Sequence, residues 1–128
     1  MEFDPRLKKT AETLVAYCKA GEEYKGLAEL YTKDAVSVEA VTMPGADSPE
    51  THGLDGIRAK HDWWNGAFEV HEATVTGPFL HGADRFSVYF TLDTTNKENG
   101  AREQMSEIGV YTVVDGKITR EEFFYAVD

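Results

Sequence analysis

The sequence predicts an α+β fold, with helices gathered on one face of a mostly antiparallel sheet. Three observations lead there. Apolar residues recur at helical spacing in three stretches of the first half of the chain. From Glu69 onward the chain reads as long strands, broken only by the turn sequences GAD, NKENG and DG. At 128 residues and 41% apolar composition, one compact domain spanning 1–128 accounts for the whole length.

The first helix opens at Asp4, an N-cap residue, with Pro5 at the first helical position; Leu7, Ala11, Leu14, Val15 and Cys18 then share a face, and Gly21 is a natural stop. A shorter helix is expected from about Glu22 to Tyr31, with Leu27, Leu30 and Tyr31 on its inner side. TKDAV then turns the chain into a strand containing VSVEAV, residues 36–41. The stretch TMPGADSPETHG is rich in turn formers and is expected to be irregular and exposed. In LDGIRAKHDWWNGAF the helical period returns, placing Ile57, His61, Trp64 and Phe68 on one face and Arg58, Asp62 and Asn65 opposite.

Four strands follow: EVHEATVTGPFLH, DRFSVYFTLDTT, AREQMSEIGVYTVV and KITREEFFYAV. They are longer than the mean strand of about five or six residues, so the sheet must twist and curl. The last turn, Asp115-Gly116, is a two-residue hairpin signal. Strict alternation from it places Ser106, Ile108 and Val110 with Phe123 and Tyr125 on one face, expected to be concave. Tyr111, Val113, Ile118, Arg120 and Phe124 fall on the other, expected to meet a second copy of the chain.

A net charge of −10 and a pI near 4.8 oppose nucleic acid and anionic membranes, which need clustered Lys and Arg. No segment approaches the roughly twenty apolar residues that span a bilayer, and MEFDPRLKKT has no signal-like apolar run, so a soluble cytoplasmic protein is expected. Cys18 is the lone cysteine, and it is read as a packed thiol. His52, His61, His71 and His81 show no metal-ligand spacing; neither metal nor cofactor is expected.

Glu39 stands out because it lies within a stretch of apolar and small residues. Alternation groups Ser37, Glu39 and Val41 on one side, which is equally the pattern of a solvated strand face and of a carboxylate pointing into a pocket.

The element order, together with AGEEYKGLAELYTKDAVSVEAV, THGLDGIRAKHDWW and VVDGKITREEFFY, resembles the SnoaL-like branch of the nuclear-transport-factor-two-like superfamily, which also contains the ketosteroid isomerases and polyketide cyclases. The resemblance covers nearly the whole chain. It implies a cone-shaped half-barrel, three helices on a strongly curved sheet enclosing a pocket, and commonly a dimer through the outer sheet face. The fold does not imply one reaction.

LYTKDAVSVEAV is most similar to the isomerase stretch that carries the general-base aspartate, whose position falls at Glu39. A glutamate in an apolar pocket would be suited to moving protons. The isomerase tyrosine and protonated aspartic acid that support the enolate correspond to Leu14 and to about Val110, so those donors are missing. His61 is the candidate proton-transfer partner of Glu39. Tyr31, His52, Trp64, Phe90, Ser106, Ile108, Val110, Phe123 and Tyr125 are the candidate ligand-binding residues.

Two functions follow. One is a cofactor-free isomerase, lyase or cyclase acting on a small hydrophobic oxygenated molecule; the other is a non-catalytic ligand-binding or dimerising domain of the same fold.

Overall fold

A computed structural model describes residues 2–127. Three helices pack on a six-stranded, mostly antiparallel open sheet. The helices are α1 (Pro5–Lys19), α2 (Glu23–Leu30) and α3 (Leu54–Ala67). The strands are β1 (Tyr31–Val38), β2 (Glu50–His52), β3 (Phe68–His81), β4 (Arg85–Asn96), β5 (Arg102–Val114) and β6 (Lys117–Phe124). Their order across the sheet is β2-β1-β6-β5-β4-β3, with β1 parallel to β6 and the other pairs antiparallel.

Local chemistry explains the ends of α1. The Asp4 carboxylate accepts from the Arg6 amide at 2.8 Å, and Pro5 lacks the N–H that would otherwise need a partner there. At the other end Gly21, at φ 71°, lets its amide reach Cys18 O and the Glu22 amide reach Tyr17 O, a Schellman closure. The β5–β6 turn has positive φ at both Asp115 and Gly116, as a tight two-residue hairpin requires. The Thr10 hydroxyl donates to Gly116 O at 2.7 Å and ties that turn to α1.

The core lies between the helices and the inner face of the sheet. Leu7, Ala11, Leu14 and Val15 of α1 meet Leu27, Ala35, Ile57, Phe86, Val88, Tyr111, Val113 and Ile118 there. Tyr111 stacks on Phe86 with centroids 4.7 Å apart and an interplanar angle of 10°.

Two expectations are corrected. The loop taken as wholly irregular contributes β2, whose Glu50, Thr51 and His52 pair with Val38, Ser37 and Val36. More consequential, the faces of β5 are reversed: Tyr111, Val113 and Ile118, assigned to an outer interface, are buried in the core, while Ser106 and Ile108 are exposed on the outer face with half-buried Val110.

A β-bulge explains the mixed outcome in β6. Val113 pairs with Ile118 but Thr112 with Arg120, so Thr119 is an extra residue. Beyond it every β6 side chain changes face: Glu121 and Phe123 turn inward, with Tyr125 following the same alternation just past the strand. Arg120 and Phe124 lie outside, as expected.

Candidate functional site

Glu39 directly follows β1, and its amide donates to Pro49 O at 2.9 Å. The strand's alternation buries Ala35 and Ser37 and carries Glu39 to the same inner side, where its side chain is 16% exposed. One carboxylate oxygen lies 2.6 Å from Lys60 Nζ; the other accepts from the Tyr125 hydroxyl at 2.9 Å. The Lys60 ammonium also donates to Ser37 Oγ at 2.7 Å and sits 5.6 Å from the centre of the Phe123 ring. Glu39, Ser37, Lys60, Phe123 and Tyr125 thus form one polar cluster against an aromatic wall.

Two further carboxyls face this interior. Glu107, on β5, is pushed up to about 7, first by burial and then by the charge of Glu39, with Lys60 opposing. Glu121, on β6, is 2% exposed and also pushed up to about 7 by burial, with Lys60 and Tyr31 opposing. Burial, together with the bond to Glu39, pushes the Tyr125 hydroxyl up to about 12, so it remains a donor at neutral pH.

His61 lies beside this cluster rather than on Glu39. Its ring packs 5.9 Å from that of Tyr24 on α2, and burial, with Lys60 next to it, lowers its pKa. Tyr24 ties α2 to α3 here, donating to Asp62 at 2.6 Å and accepting from Asn65 at 3.0 Å.

Of the other candidates, Phe123 and Tyr125 meet Glu39, while Tyr31 is buried near Glu121. Phe90 is half-buried and pairs across the sheet with Glu107. Trp64 stacks on Phe68 at 5.2 Å. His52 is exposed, 3.1 Å from Glu50. Ser106, Ile108 and Val110 face away from the cluster, because Glu107 and Gly109 take the inward positions of β5.

Lys60, Glu107 and Glu121 were missed by the sequence reading. The signal for Lys60 was present: it is three residues after buried Ile57, hence on the same helix face. Glu107 depended on the orientation of β5, whereas Glu121 shares the alternation of Phe123 and Tyr125 and was legible on the inner face.

Two surface depressions lie elsewhere. One runs along α1 from Pro5 to Ala16, lined by solvated side chains of that single helix. The other lies on the outer side of β3, β4 and β5, beside Glu72, Tyr89, Asp93 and Met105. Neither includes the buried carboxyls. Among the described residues no helix is long and apolar enough to cross a membrane.

Residues 9–125 match the family model of the SnoaL-like domain, and the chain belongs to that family. It is similar to a Mesorhizobium loti protein provisionally called a SnoaL-like polyketide cyclase, with carbohydrate phosphatase as a second label: 36% identity, TM-score 0.86, covering 93% of this chain and 98% of that one. Two more distant structures share the fold. A Mycobacterium tuberculosis protein in complex with estradiol-17β-hemisuccinate is 16% identical, with TM-score 0.73 over 98% of this chain and 97% of that one. A computationally designed 17-OHP binder is 17% identical, with TM-score 0.72 over 98% and 96%. No curated protein matches the chain.

Proposed function

We propose that the protein binds a small hydrophobic oxygenated molecule between α3 and the inner face of the sheet, and that Glu39 acts there as general acid/base in a cofactor-free isomerase, lyase or cyclase reaction. The observation that carries this reading is the Glu39 carboxylate itself, held on the inner face between Lys60 and Tyr125.

A carbonyl compound illustrates the chemistry. Glu39 takes the proton from the carbon next to the carbonyl; the C–H bond breaks and its electron pair moves toward the carbonyl oxygen. The Lys60 ammonium, the Tyr125 hydroxyl and a protonated Glu107 are the available groups to stabilise that oxygen. They supply what Leu14 and Val110 do not. Where the ketone carries a C=C bond one carbon further on, the proton returns from Glu39 to the far carbon of that bond, the double bond moves into conjugation with the re-formed carbonyl, and the isomerisation is complete.

The direct test is deuterium exchange at the acidic carbon of a bound ketone, followed by NMR. Glu39→Gln should lower the exchange rate by about 10²–10⁴-fold while ligand binding remains. Exchange at the wild-type rate in the variant removes Glu39 from the chemistry.

One observation favours the non-catalytic alternative: both Glu39 oxygens already have protein partners, which a reacting ligand must displace. In that reading the cluster only orients a ligand. The expected homodimer is proposed through the outer sheet face, on a corrected residue set of Phe79, Tyr89, Ile108 and Phe124, which are 54%, 41%, 44% and 52% exposed. A cytoplasmic setting is proposed as well, supported by the free, half-buried thiol of Cys18.

A further inference from the structure

The inner face carries more acid than base. Glu39, Glu107 and Glu121 all act on this interior, against the ammonium of Lys60 alone among the described residues. The groups facing Glu107 are Glu39 after β1, Lys60 on α3, Tyr111 on β5 and Tyr125 after β6. Those facing Glu121 are Cys18 on α1, Tyr31 on β1, Lys60 on α3 and Tyr111 on β5, with Glu39 and Glu107 acting on it as well. His61 adds little positive charge, because burial and Lys60 disfavour its protonated form.

Glu121 is the least expected of these groups. Its Oε1 is buried with no hydrogen-bond partner among the described residues, and an apolar side chain would occupy the same place without the desolvation cost of a carboxyl. Packing alone does not account for it.

We propose that Glu107 and Glu121 form a charge filter: the site takes uncharged oxygenated ligands and excludes those bearing a carboxylate or phosphate. This rests on the binding mode proposed above. Glu39 already neutralises Lys60, so a ligand anion entering the interior meets two more carboxyls with no further cation among the described residues to offset them. Where water is scarce, such repulsion is only weakly screened. An uncharged carbonyl or hydroxyl escapes it and can use Tyr125 as donor or a carboxylate as acceptor. Since both carboxyls are pushed up to about 7, they lose their charge as pH falls through that value, and the barrier to an anion falls with it.

Estradiol and estradiol-17β-hemisuccinate share a hydrocarbon frame and differ by one carboxylate, which makes them suitable probes. Each would be titrated calorimetrically into the full chain at about pH 8 and pH 5.5, on either side of the carboxyls' titration. Estradiol should bind equally at both. The hemisuccinate should bind at least about tenfold more weakly than estradiol at the higher pH and recover most of that factor at the lower. Glu107→Gln and Glu121→Gln should each narrow the gap at high pH. If Glu121→Gln fails to fold, Glu107→Gln and the wild-type pH series still decide.

Equal affinity of the two steroids at high pH overturns the filter while leaving the binding reading intact. A gap that Glu107→Gln leaves unchanged also overturns it. Failure of both steroids to bind at either pH removes the binding reading and the filter with it.

Discussion

The two faces of the sheet are made from the same strands and contain similar residue types, yet they meet different surroundings. On the inner face Phe86, Val88, Tyr111, Val113 and Ile118 are at most 6% exposed, and Glu121 is sealed among them. On the outer face Phe79, Tyr89, Ile108 and Phe124 are all at least 41% exposed. Aromatic and β-branched content therefore does not reveal which face is the core. The helices do, because α1 and α3 cover only one side, and a carboxyl on that side has its chemistry changed by burial.

The strongest way to break the comparison is to insert one alanine between Arg120 and Glu121. The added residue would take the inner position after Arg120, and alternation would then send Glu121 and Phe123 outward and bring Glu122 into the core. Burying an unpaired Glu122 and exposing Phe123 should together cost more than about 5 kcal/mol, the low end of a domain's whole stability, and circular dichroism should show a chain that no longer melts cooperatively. A cooperative melt close to that of the wild type would mean the register beyond the bulge does not set the faces.

Paired truncations come next. Phe86→Ala on the inner face should cost about 3–5 kcal/mol in urea denaturation. Tyr89→Ala, one ladder step from buried Val88 but on the outer face, should cost about 0.5 kcal/mol or less in the monomer. Similar losses at both sites would contradict the assignment of the core to one face.

The buried carboxyls give a pH test. Glu107 and Glu121 are raised from 4.5 to about 7 in the folded protein, so the folded state holds protons that the unfolded chain releases. Their contribution is fully present below pH 4.5 and is lost as pH rises through 7. For Glu121 alone the loss is about 3 kcal/mol at most. Between pH 5 and 8, Glu121→Gln should therefore destabilise with rising pH less than the wild type does, as read by denaturant midpoints. Parallel curves would show that Glu121 keeps an ordinary pKa.

The smallest expected change in folding is on the outer face. Ile108→Asp leaves the core intact and should shift the melt by about 0.5 kcal/mol or less when the chain is monomeric. In sedimentation velocity it should abolish self-association if the outer face is the dimer interface. A dimer that survives the substitution uses another surface.

Much was legible in the sequence for local reasons. Asp4-Pro5, Gly21 and Asp115-Gly116 specify backbone conformations through their own side chains or the lack of one, and the structure uses all of them. Glu39 was singled out because a carboxylate interrupts a run of apolar and small residues, and the structure turns it inward beside Tyr125. Lys60 was overlooked although its spacing from Ile57 placed it correctly, because long cationic side chains usually reach solvent.

Sequence by itself determined the three helices, the long strands, their order and the turn between the last two, since each depends on periodicity or on residues adjacent in the chain. Which side of β5 faces the helices was decided only by tertiary packing: Tyr111 finds Phe86, and Gly109 leaves the space that the Tyr111 hydroxyl and Phe123 occupy. The extra residue at Thr119 was likewise invisible to alternation, because a bulge is a relation between two strands and not a property of either. The site inherits both decisions, since three carboxyls and one ammonium meet only after β1, α3, β5 and β6 have been brought together.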